Sequence, residues 1–252
     1  MAEGKAWRPY LSEFHADRAG ITERILERSG DEGDEPYGWM SERIPSEGVV
    51  LDVACGSAPL APRIGPERYI GVDLSTEELR LAAGRGAGGL VIADATRLPF
   101  GDGSVDAVVC SMALQVLTPL PEALAEASRV LRRGGVFTAM YPVSGPLSGW
   151  DAVFALRLLW SLRSRIGAPN EGPLRRPAAL VRSVGLRLRA VESRCFHFPL
   201  NTRADIGAYM DSLYVPSVGR ERYRRARSAM ERSSWFGYAP VPLVRLSAVK
   251  ED

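Results

Sequence analysis

The sequence predicts an α/β fold in which one mostly parallel sheet of seven strands carries helices on both faces. Strand and helix signals alternate from residue 49 to residue 141, which is typical of parallel strands joined by crossover helices. Several strand segments are apolar at every position, as strands covered by helices on both sides are. Two further strand segments after residue 186 have no separate core of their own, so we expect them to join the same sheet.

Five strands are predicted in the alternating region. Each is a short run rich in apolar and β-branched residues, bounded by small or turn-forming residues. Their predicted bounds are Val49–Val53, Tyr69–Val72, Leu90–Ala93, Val105–Cys110 and Val136–Tyr141. Between them, Ser75 and Glu78 predict a capping box at the start of one helix. A second helix is predicted over Glu122–Leu131, closed by Gly134 and Gly135.

Outside this region the pattern is looser. A helix is predicted near the N-terminus over Ile21–Arg28, followed by a turn-rich segment. The segment Gly167–Pro177 has five Gly or Pro in eleven residues and is predicted as a loop. The remaining predicted elements are helices at Trp150–Ile166 and Ile206–Leu213 and strands at Arg187–Phe198 and Val241–Val249.

The charge balance argues against a nucleic-acid partner. The 32 basic and 30 acidic side chains leave a net charge of +2, so no general attraction to polyanions is expected. The arginine-rich run Arg220–Arg232 also contains Glu221 and Glu231, which favours a solvated helix face. Lysine occurs only at Lys5 and Lys250, and this bias toward arginine is typical of a GC-rich bacterial source.

Cysteine usage and hydropathy exclude several other classes. Cys55, Cys110 and Cys195 are far apart, and with His15 and His197 as the only histidines no metal site is predicted from spacing. The N-terminus lacks the apolar stretch of a secretory signal, and no run approaches 18 apolar residues. We therefore expect a cytoplasmic protein that does not associate with membranes.

The residues that indicate chemistry stand at the predicted strand ends. Asp52 and Gly56 flank the turn after the first strand, Asp73 ends the second, and Asp94 follows the third. Ligands of open α/β sheets bind at the carboxyl ends of the strands, where an acid about 20 residues after the first turn accepts from ribose hydroxyls. Asp73 follows Asp52 by 21 residues, which indicates a nucleoside-containing cofactor.

The turn itself distinguishes among such cofactors. A dinucleotide fingerprint needs three glycines that let the backbone approach a pyrophosphate, whereas residues 54–59 read ACGSAP with one glycine. No basic side chain lies in the turn. A nucleoside without phosphates, of which S-adenosylmethionine is the common example, is therefore favoured over a nicotinamide cofactor.

Five segments in order resemble the motifs of the class I S-adenosylmethionine-dependent methyltransferases. The resemblance runs from about Val49 to Tyr141, and no single segment is specific by itself. The segments are Val50–Gly56, Gly71–Ser75, Ala93–Ala95 followed by Leu98–Phe100, Ser104–Val109 and Arg129–Gly135. The resemblance implies a Rossmann-like single domain with an N-terminal helical cap at 1–45 and a cofactor-binding core at 46–141. The region 142–252 would hold a substrate lid, inserted after the fifth strand, and the C-terminal strands.

The resemblance also implies roles for individual residues in binding S-adenosylmethionine. Asp52 would help to hold the ammonium group, directly or through water, and Gly56 would let the loop pass beside the methionine moiety. The other implied contacts are Asp73 with the ribose diol, Leu74 on adenine, Asp94 and Ala95 at the adenine amine, and Ser111 and Met112 at the methyl-transfer site. Ala54 and Ala58 stand where the family has glycine.

The predicted reaction is metal-independent methyl transfer to an O, N or C atom of a small molecule, with secondary metabolism as one setting. His15 is the predicted general base, with Tyr10 shaping the pocket, and His197 is the weaker candidate. The N-terminal segment and Gly167–Pro177 are expected to close over the site. Two alternatives stay open: another reaction on the same cofactor, such as a cyclisation, and a reductase that uses NADPH.

Overall fold

The computed structural model describes residues 2–143, 147, 149–232 and 236–251 of the 252-residue chain. Seven strands within these residues form one sheet, as predicted. They are β1 (Val50–Val53), β2 (Tyr69–Asp73), β3 (Leu90–Ile92), β4 (Val105–Ser111), β5 (Leu131–Pro142), β6 (Leu186–Pro199) and β7 (Tyr238–Lys250). Their order across the sheet is β3-β2-β1-β4-β5-β7-β6.

Helices connect the strands and cover the sheet. Their bounds are α1 (Ala2–Asp17), α2 (Ile21–Glu27), α3 (Pro36–Ser41), α4 (Ala61–Ile64), α5 (Thr76–Gly84), α6 (Leu120–Val130), α7 (Gly149–Leu162), α8 (Glu171–Leu174), α9 (Pro177–Arg182), α10 (Arg203–Asp211) and α11 (Arg220–Glu231). Among the described residues, no helix is long and apolar enough to cross a lipid bilayer.

The strand directions place the later helices beside the carboxyl ends of the first strands. β1 to β5 pair in parallel, whereas β7 is antiparallel to both β5 and β6. Pro199 at the end of β6 lies opposite Tyr238 at the start of β7. The segment that joins them, which includes α10 and α11, therefore leaves and returns at the carboxyl edge of the sheet.

The core forms two layers because alternate residues of a strand point to opposite faces. Val50 and Val109 pack in a layer with α2, α3, α7, α10 and α11. Leu51 and Val108 pack in the other layer, with α6 and α9. Burial of each such side chain stabilises the fold by about 1.5–3 kcal/mol. The predicted Rossmann-like arrangement, with helices on both faces, is confirmed.

The helix α1 lies within the predicted helical cap, but the sequence did not indicate its bounds. It contains Pro9, and its apolar residues follow no clear helical period. Phe14 of α1 is buried, and its ring centre lies 4.8 Å from that of Tyr214. Packing against a residue 200 positions away, rather than local periodicity, therefore fixes this helix on the molecule.

The predicted capping box at α5 is only half formed. The Glu78 backbone N–H donates to Ser75 Oγ at 3.3 Å, as expected. The Glu78 carboxylate turns away and accepts from the Gly20 backbone N–H at 3.0 Å, and it lies 2.9 Å from His15 Nδ1. The Ser75 backbone N–H donates to Asp73 instead. Tertiary partners thus replace the local contact.

Several predicted boundaries also change. Gly134 and Gly135 do not close α6, which ends at Val130, but lie within β5 where its pairing with β4 shifts register. The predicted loop Gly167–Pro177 contains the short α8. The predicted cap and the predicted lid region include some residues outside the described part of the chain, namely 1, 144–146, 148, 233–235 and 252. The three-region division and the lid remain predictions.

Candidate functional site

The turn after β1 adopts a left-handed backbone at three of its five residues. The φ angles are 56° at Ala54, 55° at Gly56 and 58° at Ala58. Only glycine adopts this conformation without steric cost, so the two alanines are strained where the family has glycine. A Cβ placed on Gly56 would meet only the Glu78 carboxylate, at 3.8 Å. The space in front of Gly56 is therefore open to a ligand.

Asp73 ends β2 beside this turn, with both carboxylate oxygens anchored. Oδ2 accepts from the Gly56 N–H at 2.7 Å, and Oδ1 accepts from the Ser75 N–H at 2.8 Å. Burial raises the pKa of Asp73, although these two N–H groups oppose the rise. Each carboxylate oxygen has two lone pairs, so each retains one acceptor position. The side chain is fixed in place and still able to receive two hydroxyl groups.

Asp94 follows β3 and binds both its own turn and α1. Oδ1 accepts from the Thr96 N–H and hydroxyl at 2.9 and 2.8 Å, and Oδ2 lies 3.2 Å from the Arg8 guanidinium. Burial acts to raise the pKa of Asp94, but these hydrogen bonds outweigh it and the pKa lies below its ordinary value. Arg8 also donates to the Thr118 carbonyl at 2.9 Å, so it ties α1 across the strand ends.

Ser111 and Met112 lie at the end of β4. The Ser111 Oγ atom is buried and has no hydrogen-bond partner among the described residues. Met112 has a φ of 56°. Buried hydroxyl groups without a partner are rare in native proteins, and strained backbone clusters at ligand sites. Both features support a ligand at this strand end.

Asp52 differs from the other predicted cofactor-binding residues because its side chain is buried inside the protein. It is 1% exposed, and Oδ2 accepts from the Tyr69 hydroxyl at 3.0 Å while Oδ1 has no partner within the described residues. Burial raises the pKa of Asp52 to about 8. With so little exposed surface, the carboxyl group is poorly accessible to an ammonium group, and a contact between them, directly or through water, stays a prediction.

A cavity of about 620 Å³, here called the strand-end cavity, lies over these residues. Its volume is typical of a site for a cofactor-sized ligand. It brings together all the predicted cofactor-binding residues except Asp52, namely Ala54, Gly56, Asp73, Leu74, Asp94, Ala95, Ser111 and Met112. Residues of α1, including Arg8 and His15, cover it.

A second cavity of about 850 Å³, here called the apolar cavity, was not found from the sequence. It lies between the end of β5, α7 and β7, and its walls include Tyr141, Phe154, Leu158, Val241 and Val244. A polar exception is Gln115, whose Oε1 atom is buried without a partner among the described residues. Thr22, Met112 and Tyr214 line both cavities, so the two adjoin at these residues.

His15 lies in the strand-end cavity as part of a hydrogen-bonded chain of three side chains. Its Nδ1 atom is 2.9 Å from Glu78 Oε1, and its Nε2 atom is 3.3 Å from the Tyr214 hydroxyl. Burial raises the pKa of Tyr214 above its ordinary value. Because Tyr214 lies where the cavities adjoin, this chain leads from Glu78 to the boundary between them. Sequence reasoning missed Tyr214, which belongs to no local motif, and assigned Glu78 only to a capping box.

The other two candidates lie elsewhere. Tyr10 lines neither cavity, and its hydroxyl accepts from the Val215 backbone N–H at 3.0 Å. His197 lies 3.3 Å from the Asp151 carboxylate, outside both linings. Cys195 Sγ is 3.7 Å from the same carboxylate. Spacing in the sequence did not reveal this group of potential metal ligands.

The fold and the strand-end cavity define a Rossmann-like protein that binds a nucleoside at the carboxyl ends of parallel strands. Residues 51–139 match the family model described as a methyltransferase domain. This match and the relatives described below support a class I S-adenosylmethionine-dependent methyltransferase family for the chain, as its motifs indicated, with S-adenosylmethionine as the cofactor.

Similar proteins of known name match between about a third and a half of the chain. The ubiquinone/menaquinone biosynthesis C-methyltransferase UbiE of Dinoroseobacter shibae is 32% identical over 131 residues, covering 52% of this chain and 46% of that protein. The demethylmenaquinone methyltransferase of Symbiobacterium thermophilum is 34% identical over 103 residues, covering 36% and 41%. The chain thus spans less than half the length of these relatives.

The likeness to solved structures extends over nearly the whole chain. The (4+2)-cyclase SpnF superposes with a TM-score of 0.60 at 18% identity, covering 96% of this chain and 95% of that one. At this identity the likeness extends to the fold alone. It shows that the segments outside residues 51–139 also follow a known arrangement.

The residues present fit S-adenosylmethionine. Asp73 has two free acceptor positions for the ribose diol, and the open space at Gly56 leaves room for the methionine moiety. Ser111, whose Oγ atom has no partner among the described residues, lines the same cavity. At the adenine end, Asp94 already binds Arg8, so an amine would share or replace that contact.

Because α1 covers the strand-end cavity, bound S-adenosylhomocysteine is expected to slow amide exchange in residues 10–17. Arg8→Ala removes the contact from α1 to Asp94 and Thr118 and is expected to speed exchange there. The Arg8–Asp94 ion pair is largely exposed, so the cost in global stability should stay below about 1 kcal/mol. Hydrogen exchange detected by mass spectrometry checks both effects. Unchanged exchange with ligand and in the variant would contradict a closing cap.

Proposed function

We propose that the chain transfers the methyl group of S-adenosylmethionine to an O, N or C atom of a largely apolar small molecule bound in the apolar cavity. The observation that carries the proposal is the junction of the two cavities at Thr22, Met112 and Tyr214. A cofactor in the strand-end cavity and an acceptor in the apolar cavity would meet there. Positioning two reactants in this way supplies a large part of the rate enhancement of such enzymes.

The walls of the apolar cavity support an acceptor of this kind. Aromatic and aliphatic side chains dominate the lining, and Gln115 is a polar residue whose buried Oε1 atom has no partner among the described residues. Buried acceptors are usually paired, so a ligand hydroxyl or amine that reaches Gln115 would supply the missing hydrogen bond. The relatives named for quinone biosynthesis methylate molecules of this general kind.

When bound, S-adenosylmethionine supplies an electrophilic methyl group on a sulfonium centre. The acceptor atom forms the new bond to carbon as the sulfur–carbon bond breaks, and the sulfur keeps the electron pair. The chain of Tyr214, His15 and Glu78 lies at the junction, so it is placed to take the proton that the acceptor releases. The Glu78 carboxylate orients the His15 ring by binding Nδ1. His15 thus remains the proposed base, acting through Tyr214.

Tyr214→Phe and His15→Gln are expected to lower kcat by about 100-fold or more for an acceptor that must lose a proton, because each breaks the proton path. Binding of S-adenosylhomocysteine to Tyr214→Phe should change little. Tyr10→Phe is the matched control, since its hydroxyl binds the Val215 backbone outside both cavities. Single-turnover rates between about pH 6 and 9 provide the measurement. Full turnover by both variants would show that positioning alone carries the reaction.

The assignment of the apolar cavity as the acceptor site is tested by placing a large side chain in it. Ala155 lines this cavity but not the strand-end cavity, so Ala155→Trp is expected to block acceptors while the cofactor still binds. Ala179→Trp on the exposed face of α9 is the matched control. Formation of S-adenosylhomocysteine is measured by mass spectrometry with a panel of apolar phenols, hydroquinones and amines. Equal turnover by wild type and Ala155→Trp would overturn the assignment.

The same measurement separates the alternatives. A cyclase or other isomerising enzyme would convert an acceptor-like substrate without forming S-adenosylhomocysteine. A reductase would need NADPH, for which residues 54–59 offer neither the three glycines nor a basic side chain. Product formation with no S-adenosylhomocysteine would therefore reject methyl transfer in favour of another reaction.

A further inference from the structure

Three potential metal ligands converge between the start of α7 and the outer strand β6. Cys195 and His197 are two residues apart on β6 and therefore point to the same face of the sheet. Asp151 lies in the first turn of α7. The ligand atoms of all three lie within 4.8 Å of one another. Neither cavity lining includes any of them, so this group is separate from the methyl-transfer site.

Two of the distances match the edges of a tetrahedral zinc site. With zinc–ligand bonds of about 2.0–2.3 Å, neighbouring ligand atoms of a tetrahedron are about 3.3–3.7 Å apart. Asp151 Oδ2 lies 3.3 Å from His197 Nε2 and 3.7 Å from Cys195 Sγ, and the ligand atoms of all three residues lie within 4.8 Å of one another. These three atoms offer three corners of a coordination shell, with a fourth corner left for water.

The charges of the three side chains favour a divalent cation as their partner over an arginine or lysine of the protein. A thiolate, a carboxylate and a neutral imidazole together carry two negative charges, which a divalent ion balances. Among the described residues, no arginine or lysine forms an ion pair with Asp151. The neighbouring Arg194 is bound by Asp31 and Asp34. A sulfur ligand with an imidazole selects zinc over magnesium or calcium.

We propose that Asp151, Cys195 and His197 form a zinc site that fastens α7 to β6. The side chains are 16% exposed at Asp151 and 32% at His197, so the ion can enter from solvent. Phe154 and Leu158, one and two turns further along α7, form part of the apolar cavity wall. Zinc would therefore hold this wall in place without touching the acceptor or the cofactor. The proposal does not depend on the proposed function.

The test begins with the full-length wild-type chain stripped by a chelator and returned to chelator-free buffer. Addition of Zn²⁺ is expected to restore one ion per chain, measured by elemental mass spectrometry, and to raise the thermal unfolding midpoint. Addition of Co²⁺ in place of zinc is expected to produce the charge-transfer absorption of a thiolate–cobalt bond. Neither measurement depends on a variant that folds. Absence of both binding and the cobalt band would overturn the proposal.

Variants then locate the ion. Cys195→Ser and His197→Ala are expected to lower zinc affinity at least about 100-fold, because loss of an outer-shell partner alone costs 10- to 100-fold. Asp31→Asn is the control. It removes a nearby carboxylate that pairs with Arg194 and does not belong to the proposed site, so this variant should bind zinc as the wild type does. Equal affinity in Cys195→Ser and wild type, or loss in Asp31→Asn alone, would place any bound zinc elsewhere and reject the site.

Discussion

Replacing Asp73 by alanine is expected to lower the affinity of the chain for S-adenosylhomocysteine about 10- to 150-fold. The carboxylate has one free acceptor position on each oxygen, and a hydrogen bond to a charged group contributes about 1.5–3 kcal/mol. Loss of the side chain also releases the Gly56 and Ser75 N–H groups that shape the turn. Isothermal titration calorimetry measures the change directly.

Two further variants distinguish loss of the ribose contact from a general loss of structure. Asp73→Asn keeps the size of the side chain but replaces one acceptor oxygen with an NH₂ group, which cannot accept from the backbone or from a hydroxyl. It should therefore bind more weakly than the wild type. Asp102→Asn removes an exposed carboxylate that pairs with Arg129 outside both cavities and should bind as the wild type does. Unchanged affinity in both Asp73 variants would contradict the assignment of the ribose site.

Replacing Asp52 by asparagine is expected to remove most of the fall in stability that the wild type shows between about pH 5 and pH 9. Burial raises the pKa of Asp52 to about 8, whereas an unfolded aspartate has a pKa of about 3.9. Between these values the folded state holds a proton that the unfolded state has released. The free energy of unfolding of the wild type therefore falls as the pH rises, until the folded carboxyl ionises.

The size of the effect follows from the width of this window. Three pH units between about pH 5 and pH 8 correspond to a loss on the order of 4 kcal/mol in the wild type. An asparagine can still accept from the Tyr69 hydroxyl but cannot ionise, so the variant lacks this contribution. We expect the variant to gain stability relative to the wild type as the pH rises from about 5 to about 8, by an amount on the order of 4 kcal/mol. Urea unfolding at each pH provides the measurement.

Asp106 offers a control of opposite sign. Its carboxylate accepts from the Val49 N–H and from Arg132, which lowers the pKa of Asp106 below its ordinary value. The stability that Asp106 contributes is present above the unfolded pKa and lost as the pH falls through the folded pKa. Asp106→Asn should therefore cost stability at neutral and high pH alike. A pH dependence of Asp52→Asn that parallels that of the wild type would contradict a protonated Asp52.

The sequence by itself determined the sheet and the positions of most residues around the strand-end cavity. Gly56, Asp73 and Asp94 each stand directly after a strand signal, and parallel strands bring such positions to one edge. Their placement therefore follows from local pattern and strand order, without knowledge of distant contacts. Asp52 belongs to the same motif, yet its carboxylate is buried against the Tyr69 hydroxyl, a contact that depends on how the strands pack together.

Only the tertiary structure decided which distant residues meet. His15 reaches Glu78 and Tyr214 because α1 packs across the strand ends, and Asp151 reaches Cys195 and His197 because α7 lies against the outer part of the sheet. The apolar cavity likewise forms between β5, α7 and β7. Local patterns report the face and period of a segment, whereas such contacts depend on how segments far apart in the chain pack together.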